Sequence, residues 1–219
     1  MIKTKKDLEF YLAADKFSLG KQHSRPSLLI GDEIWSFQIA LRMLEYCLNS
    51  PSTALNRLFL RYYQIQKHRL GIKLGFYIPP NVFGPGLRIN HFGNIVVNGA
   101  ARIGMWCDIH QGVNIGNNPS PDGSVLVPSI GDNVWIGPGA KLFGSITVGS
   151  GVAIGANSVV NKDFGNNTTV AGIPAKIIHA GGTESMNVAA SISRTRAFAH
   201  KHFEYAEYFR GLEMTASSA

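Results

Sequence analysis

Residues 130–160 read IGDNVWIGPGAKLFGSITVGSGVAIGANSVV. Aliphatic side chains recur here every six positions, at Ile130, Ile136, Leu142, Val148, Ile154 and Val160, and Ile103, Ile109 and Ile115 carry the spacing backward. Gly104, Gly116, Gly131, Gly137, Gly149 and Gly155 directly follow six of these nine aliphatics. Four places after each aliphatic stands a residue that is mostly small or apolar: Cys107, Val113, Pro119, Val134, Ala140, Ile146, Val152, Ser158 and Phe164. A helix repeats at 3.6 residues and a strand at 2, so neither uses a period of six. A coil with three short flat faces does. Each face turns one aliphatic inward, and each corner favours a residue that tolerates positive φ or close approach. Stacked coils then bury one aliphatic column per face. Val97 and the irregular stretch 78–95 add at least one coil below the regular ones.

The flanks obey other rules. Ile34, Phe37, Leu41, Leu44 and Leu48 step by three and four behind Asp32 and Glu33, acids that suit a helix start, and Asn49-Ser50-Pro51 ends the run. Leu55, Leu58, Tyr62 and Ile65 mark a second helix, expected to close at Gly71, and Thr4 to Asp7 cap an earlier one around Leu8 and Leu12. In the tail, SRTRAFAHKHFEYAEYFRGLE (193–213) reads as an amphipathic helix with Phe198, Phe203 and Tyr205 or Tyr208 on its apolar face, docked on the coil or on a neighbouring subunit. The expected fold is mainly β: an N-terminal helical region over 1–75, a parallel β-helix over 76–180 and a partly helical tail over 181–219.

With 219 residues, 45% hydrophobic and 16% charged, the chain reads as globular. No stretch approaches the roughly 20 apolar residues of a membrane span, so no membrane partner and a cytoplasmic location are expected. Cys47 and Cys107 lie in different regions without metal-type spacing and read as free thiols. The net charge of +7 is concentrated at the front, where residues 1–75 hold 12 Lys/Arg against 6 Asp/Glu. Without a nucleic-acid motif this reads as solvated helix faces, not a nucleic-acid surface.

Functional residues are sought where the repeat is interrupted. From Ile89 to Val97 the step is eight residues instead of six, and His91 lies inside it. From Ile115 to Ile130 it is 15, so PDGSVLVPS (121–129) is an inserted loop of nine. An imidazole, with an ordinary pKa near 6.5, is largely free base at neutral pH yet able to accept a proton. His110 falls about one coil after His91, with Asp108 and Gln111 beside it.

The 130–160 stretch followed by AGIPAKII (171–178), with PPNVFGPGLRINHFGNIVVNGAARIG (79–104), resembles the hexapeptide-repeat acyltransferases. Within them it is most similar to the serine acetyltransferase-like branch that includes relatives attached to polysaccharide O-acetylation. The likeness spans roughly residues 34–180. It implies a left-handed β-helix, assembly as a homotrimer or a dimer of trimers, and acetyl-CoA as co-substrate. It also implies that His91 is the general base that deprotonates an acceptor hydroxyl. Asn90, Asp108, His110, Gln111, Phe76 and Trp106 are the residues expected to line the site. Gly137, Ala140, Gly155 and Ala156 are expected to border the pantetheine, and Lys162 and Lys176 match positions that meet the phosphates of CoA. No metal is expected, since only His91 and His110 lie within the regular repeats.

Serine acetyltransferases carry an aspartate 15 positions before the histidine and an acid directly before it; here these places hold Phe76 and Asn90. The arginine-histidine pair of their loop falls on Leu126 and Val127. A closed pocket must pair both charges of zwitterionic serine or leave them buried alone, at several kcal/mol. The expected acceptor is therefore a sugar or polysaccharide hydroxyl, held by hydrogen bonds against a wall of Phe76, Phe92, Trp106 and Val127. The alternatives are a serine O-acetyltransferase of cysteine biosynthesis and a non-catalytic β-helix scaffold.

Overall fold

The computed structural model describes residues 1–23, 26, 31–119, 123, 125–185 and 191–209. At its centre is the left-handed parallel β-helix, and every one of the nine repeat aliphatics is at most 4% exposed. Their columns are explicit. Ile89, Ile109, Ile136, Ile154 and Val170 stack along one face; Val97, Ile115, Leu142 and Val160 along the second; Ile103, Ile130 and Val148 along the third. Each such burial is worth about 1.5–3 kcal/mol, but only when the next coil is present to cover it. A coil built of three regular hexads advances by 18 residues, as from Ile136 to Ile154. The step from Ile109 to Ile136 is longer because the inserted loop leaves the coil as a hairpin, Asn118–Pro119 against Val125–Leu126.

Three helices precede the coil: α1 (Lys5–Ser18), α2 (Glu33–Asn49) and α3 (Ala54–Leu74). Thr4 and Asp7 form a complete capping box on α1, the helix expected around Leu8 and Leu12. The last of the three, α3, passes through Gly71 instead of closing there. A Cβ at Gly71 would lie 2.7 Å from the Phe76 carbonyl oxygen, so this glycine permits a close approach, and Gly75, with φ 77°, is the cap. The apolar positions Leu55, Leu58, Tyr62 and Ile65 face solvent. Their spacing marks a helix; it does not say which side meets the body.

The tail follows as α4 (Ser191–Lys201) and a 3-10 turn (Phe203–Phe209). It docks on α1 of its own chain, where Phe10 stacks on Tyr208 at 4.1 Å and Phe198 lies 5.2 Å from Trp106. Phe203, expected on the apolar face, is 72% exposed. The change from α4 to the 3-10 turn rotates it outward, while Phe209 is buried beside Phe10.

A buried ionic cluster ties the helices to the first coil. Arg42 of α2 gives Nε and Nη2 to Asp15 of α1 and Nη1 to Glu45, and its remaining donors reach the carbonyl oxygens of Phe83 and Gly84. All five guanidinium donors are used. Removing one partner of a buried ion pair strands the others, at about 3–5 kcal/mol. Arg42→Ala is thus expected to lower the unfolding free energy by about that much in urea titration; a loss below about 1 kcal/mol would contradict this role for the cluster.

Candidate active site

The site forms at one corner of the coil. Asn90, His110 and Gly137 each follow a stacked aliphatic, and their backbone N–H groups donate to the carbonyls of Ile109, Ile136 and Ile154 in the coil above. Asparagine and histidine in place of the usual corner glycine put two polar side chains one over the other. The eight-residue step then carries the chain outward at His91. It is held flat by Gly93, whose φ is 135° and where a Cβ would lie 3.1 Å from Gln111 Cβ. The His91 imidazole is exposed, 6.2 Å from the His110 ring, which itself stands edge-on to Trp135 at 5.0 Å.

Beside the histidines is a dense group of charges. Asp108 projects outward from its strand, as Ile109 projects inward, yet its side chain is only 1% exposed. Its Oδ2 accepts from Arg88 Nη1 at 3.0 Å and from Arg194 Nη2, on α4, at 3.1 Å. Its Oδ1 accepts from Asn90 Nδ2 and lies 3.6 Å from His110 Nε2. The same Asn90 amide nitrogen is 3.1 Å from His110 Nε2. Burial pushes the His110 pKa below its ordinary 6.5, with the charges of His91 and Arg88 acting the same way and Asp108 opposing them. Burial also lowers the Arg194 pKa, again against the pull of Asp108.

His91 opens into a cleft of about 410 Å³ between coil and helices, with Ile34, Leu74 and Phe92 as apolar lining and Asn90 at its edge. Two charged residues line it as well: Glu33, the first residue of α2, and Lys73, in the last turn of α3, paired at 3.2 Å. The Glu33 pKa lies below its ordinary value, first through its own backbone N–H and then through Lys73.

Of the residues expected at the site, Asn90, His91, Asp108 and His110 come together, and Gln111 lies above Gly93. Phe76 and Trp106 do not. Phe76 is buried against Phe37 at 5.2 Å, because the start of the coil needs an apolar plug under α2. Trp106 is fully buried in the aromatic cluster of α1 and α4, with Phe17 and Phe198. Val127 packs on the coil core, leaving Phe92 as the exposed aromatic of the expected wall. Ala140 is also a correction, since it points into the core and can border no ligand. Gly137 and Gly155 continue the corner column above His110, where a Cβ on Gly137 would meet Ile154 O at 2.7 Å. Ala156, Lys162 and Lys176 are exposed. Glu33, Lys73, Arg88 and Arg194 were not expected at the site. Glu33 read as a helix-start acid, Lys73 lay beyond the helix end expected at Gly71, and Arg194 belongs to a tail whose docking the sequence left open.

Residues 128–162 match the family described as bacterial transferase hexapeptide (six repeats). The coil carries the transferase hexapeptide repeat. The chain is 36% identical over 120 residues to a serine acetyltransferase of Synechococcus elongatus, a match covering 54% of this chain and 49% of that one. It thus spans about half the length of this curated relative. Among solved structures, Neisseria gonorrhoeae serine acetyltransferase in complex with serine is 28% identical with a TM-score of 0.57, covering 80% of this chain and 70% of that one. A serine acetyltransferase in complex with CoA is 25% identical with a TM-score of 0.59, covering 80% and 71%. These likenesses show what the chain resembles: it shares the hexapeptide repeat over residues 128–162 and is similar to serine acetyltransferases over about half of its length.

The same likenesses overturn the expectation of a sugar or polysaccharide acceptor, because the relatives and structural neighbours are serine acetyltransferases. Charges absent from the family's own positions also reach the cleft by another route, since the helices bring Glu33 and Lys73 to it.

The lowered His110 pKa has a direct consequence for stability. A histidine that is harder to protonate when folded contributes stability that is complete above its unfolded value and is lost as pH falls below about 6.5. Acidification from pH 7 to pH 5 is expected to destabilise the wild-type protein more than His110→Gln in urea titrations. Identical pH dependence would contradict the burial of a neutral ring.

Proposed function

We propose that the protein transfers the acetyl group of acetyl-CoA to the hydroxyl of serine, with His91 as general base. The observation that carries this reading is the placement of His91 in one cleft with an oppositely charged pair, Glu33 and Lys73. A zwitterionic amino acid needs a carboxylate for its ammonium and a cation for its carboxylate. Glu33 and Lys73 are those groups. The resemblance to serine acetyltransferases, one bound to serine and one to CoA, supports the same assignment.

In this mechanism the neutral His91 imidazole takes the hydroxyl proton as the serine oxygen attacks the thioester carbonyl. The tetrahedral adduct collapses, the carbon–sulfur bond breaks, and the imidazolium returns the proton to the departing thiolate. The corner column above His110, with Gly137, Gly155 and Ala156, offers a strip without protruding side chains along which pantetheine lies. Lys162 and Lys176 supply cations for the phosphates of CoA.

The protein works as a homotrimer or a dimer of trimers. Two features support this. His91 stands in a cleft open to water on a single chain, while thioester transfer requires water to be excluded. Along α3, Leu55, Leu58, Phe59, Tyr62 and Ile65 form an exposed apolar stripe whose natural cover is another copy.

Steady-state assays with acetyl-CoA and serine test the chemistry. His91→Ala is expected to lower kcat by about 10²- to 10⁴-fold, and Glu33→Gln to raise the KM for serine with little change in that for acetyl-CoA. Full activity of His91→Ala, or no acetylation of serine by the wild-type protein, would overturn the reading. Sedimentation tests the assembly: Tyr62→Glu with Ile65→Glu is expected to give smaller species than wild type, and a monomeric wild type would contradict it.

A further inference from the structure

The buried guanidinium of Arg194 is not accounted for by the acyl-transfer reading. The other buried arginine, Arg42, uses all five donors. Arg194 makes a single bond to Asp108, and its Nε and Nη1 are buried without a hydrogen-bond partner among the described residues. A group buried for stability alone would not leave two donors unsatisfied, since an apolar side chain would fill the space at lower cost. Its position is nonetheless well fixed. The neighbouring Thr195 donates to Asn133 Oδ1 at 2.7 Å, and Phe198, one turn on, is locked between Phe10, Phe17 and Trp106.

We propose that Arg194 is a positioning residue of the His91 site, by which the C-terminal helix fixes the Asp108 carboxylate and, through it, Asn90 and His110. The proposal rests on the reading of His91 as the base of an acyl transfer. Arg194 and Arg88 both bond Oδ2, which leaves Oδ1 for Asn90. A carboxylate is acceptor-only, so the Asn90 amide must turn its NH₂ toward Oδ1. The same NH₂ then faces His110 Nε2, which accepts and places the ring proton on Nδ1. Charge follows the same route. Two guanidinium groups on Asp108 offset its pull on a proton at His110, and burial keeps the ring neutral beside His91. Without Arg194, the carboxylate keeps only Arg88 and attracts a proton to His110. A cation 6.2 Å from His91 then opposes protonation of the base. The groups facing His110 are Arg88, Asn90 and His91 below it, Asp108 on its own strand and Trp135 above, with Arg194 acting from α4 through Asp108.

The test compares full-length wild type, Arg194→Gln and Arg194→Lys. Arg194→Gln is expected to lower kcat by about tenfold, the scale on which partners that orient a functional histidine act, while the KM for acetyl-CoA stays within about twofold of wild type. Because a protonated His110 disables the neighbouring base, the acid limb of the pH–rate profile should follow the His110 midpoint to higher pH, and Arg194→Lys, which keeps the charge, should restore much of both. NMR titration of the His110 imidazole without substrate provides a readout independent of turnover. Its midpoint should rise in Arg194→Gln and return toward wild type in Arg194→Lys. If serine proves not to be acetylated, the reading of the reaction fails, and the His110 titration alone decides the role of Arg194. A His110 midpoint unchanged in both variants overturns the proposal, whatever happens to their melting temperatures. If Arg194→Gln does not fold, Arg194→Met takes its place: a raised His110 midpoint supports the charge-based role, and a wild-type-like midpoint overturns it.

Discussion

No coil of this β-helix can bury its own aliphatic residues; each column is dry only because another coil covers it. That requirement fixes the six-residue spacing, flattens the faces and keeps the corners small. The Cβ that a larger residue would place at Gly137 falls 2.7 Å from the carbonyl of Ile154. A corner that bears a side chain therefore needs that side chain to stand outward. Asn90 and His110 do so on consecutive coils, and the longer step after Ile89 swings His91 clear of the stack. The polar cluster is a local departure from a packing rule obeyed almost everywhere else.

The helices do more than cover the first coil. Arg42 on α2 is clamped by Asp15, Glu45 and the carbonyls of Phe83 and Gly84, which ties α2, whose first residue is Glu33, to α1 and the first coil. At the other end of the helical pair, the Gly75 cap delivers Lys73 and Leu74 to the same cleft as it turns the chain into the coil. The buried ionic cluster and the exposed charged pair are thus mechanically connected. A histidine provided by the coil meets a carboxylate and an ammonium provided by the helices.

The coil was legible because its period is unlike that of any other element and each hexad repeats the same signal. His91 stands out in the sequence because it interrupts that period. The charges around it could not, since their positions depend on tertiary packing across large separations: Arg194 meets Asp108 from 86 residues away. Trp106 and Phe76 misled in the opposite direction. Close in sequence to polar site residues, they point to the other side of a thin coil, Trp106 into the α1–α4 aromatic cluster and Phe76 beneath α2. Burial of Leu55, Leu58, Tyr62 and Ile65 could not be read from periodicity either, because an amphipathic stripe identifies a helix without naming its partner. The acceptor was misjudged for a related reason. A missing charge at one position in sequence says little when a helix end can supply it in space.

The central claim is that His91 deprotonates serine beside a bound thioester, and a crystal structure of the protein with CoA and serine tests it most directly. The serine hydroxyl should lie about 2.6–3.2 Å from an imidazole nitrogen of His91, with its ammonium on Glu33, its carboxylate on Lys73 and the CoA sulfur next to the hydroxyl. Serine bound away from His91, or a CoA sulfur at a different corner of the coil, would contradict the account.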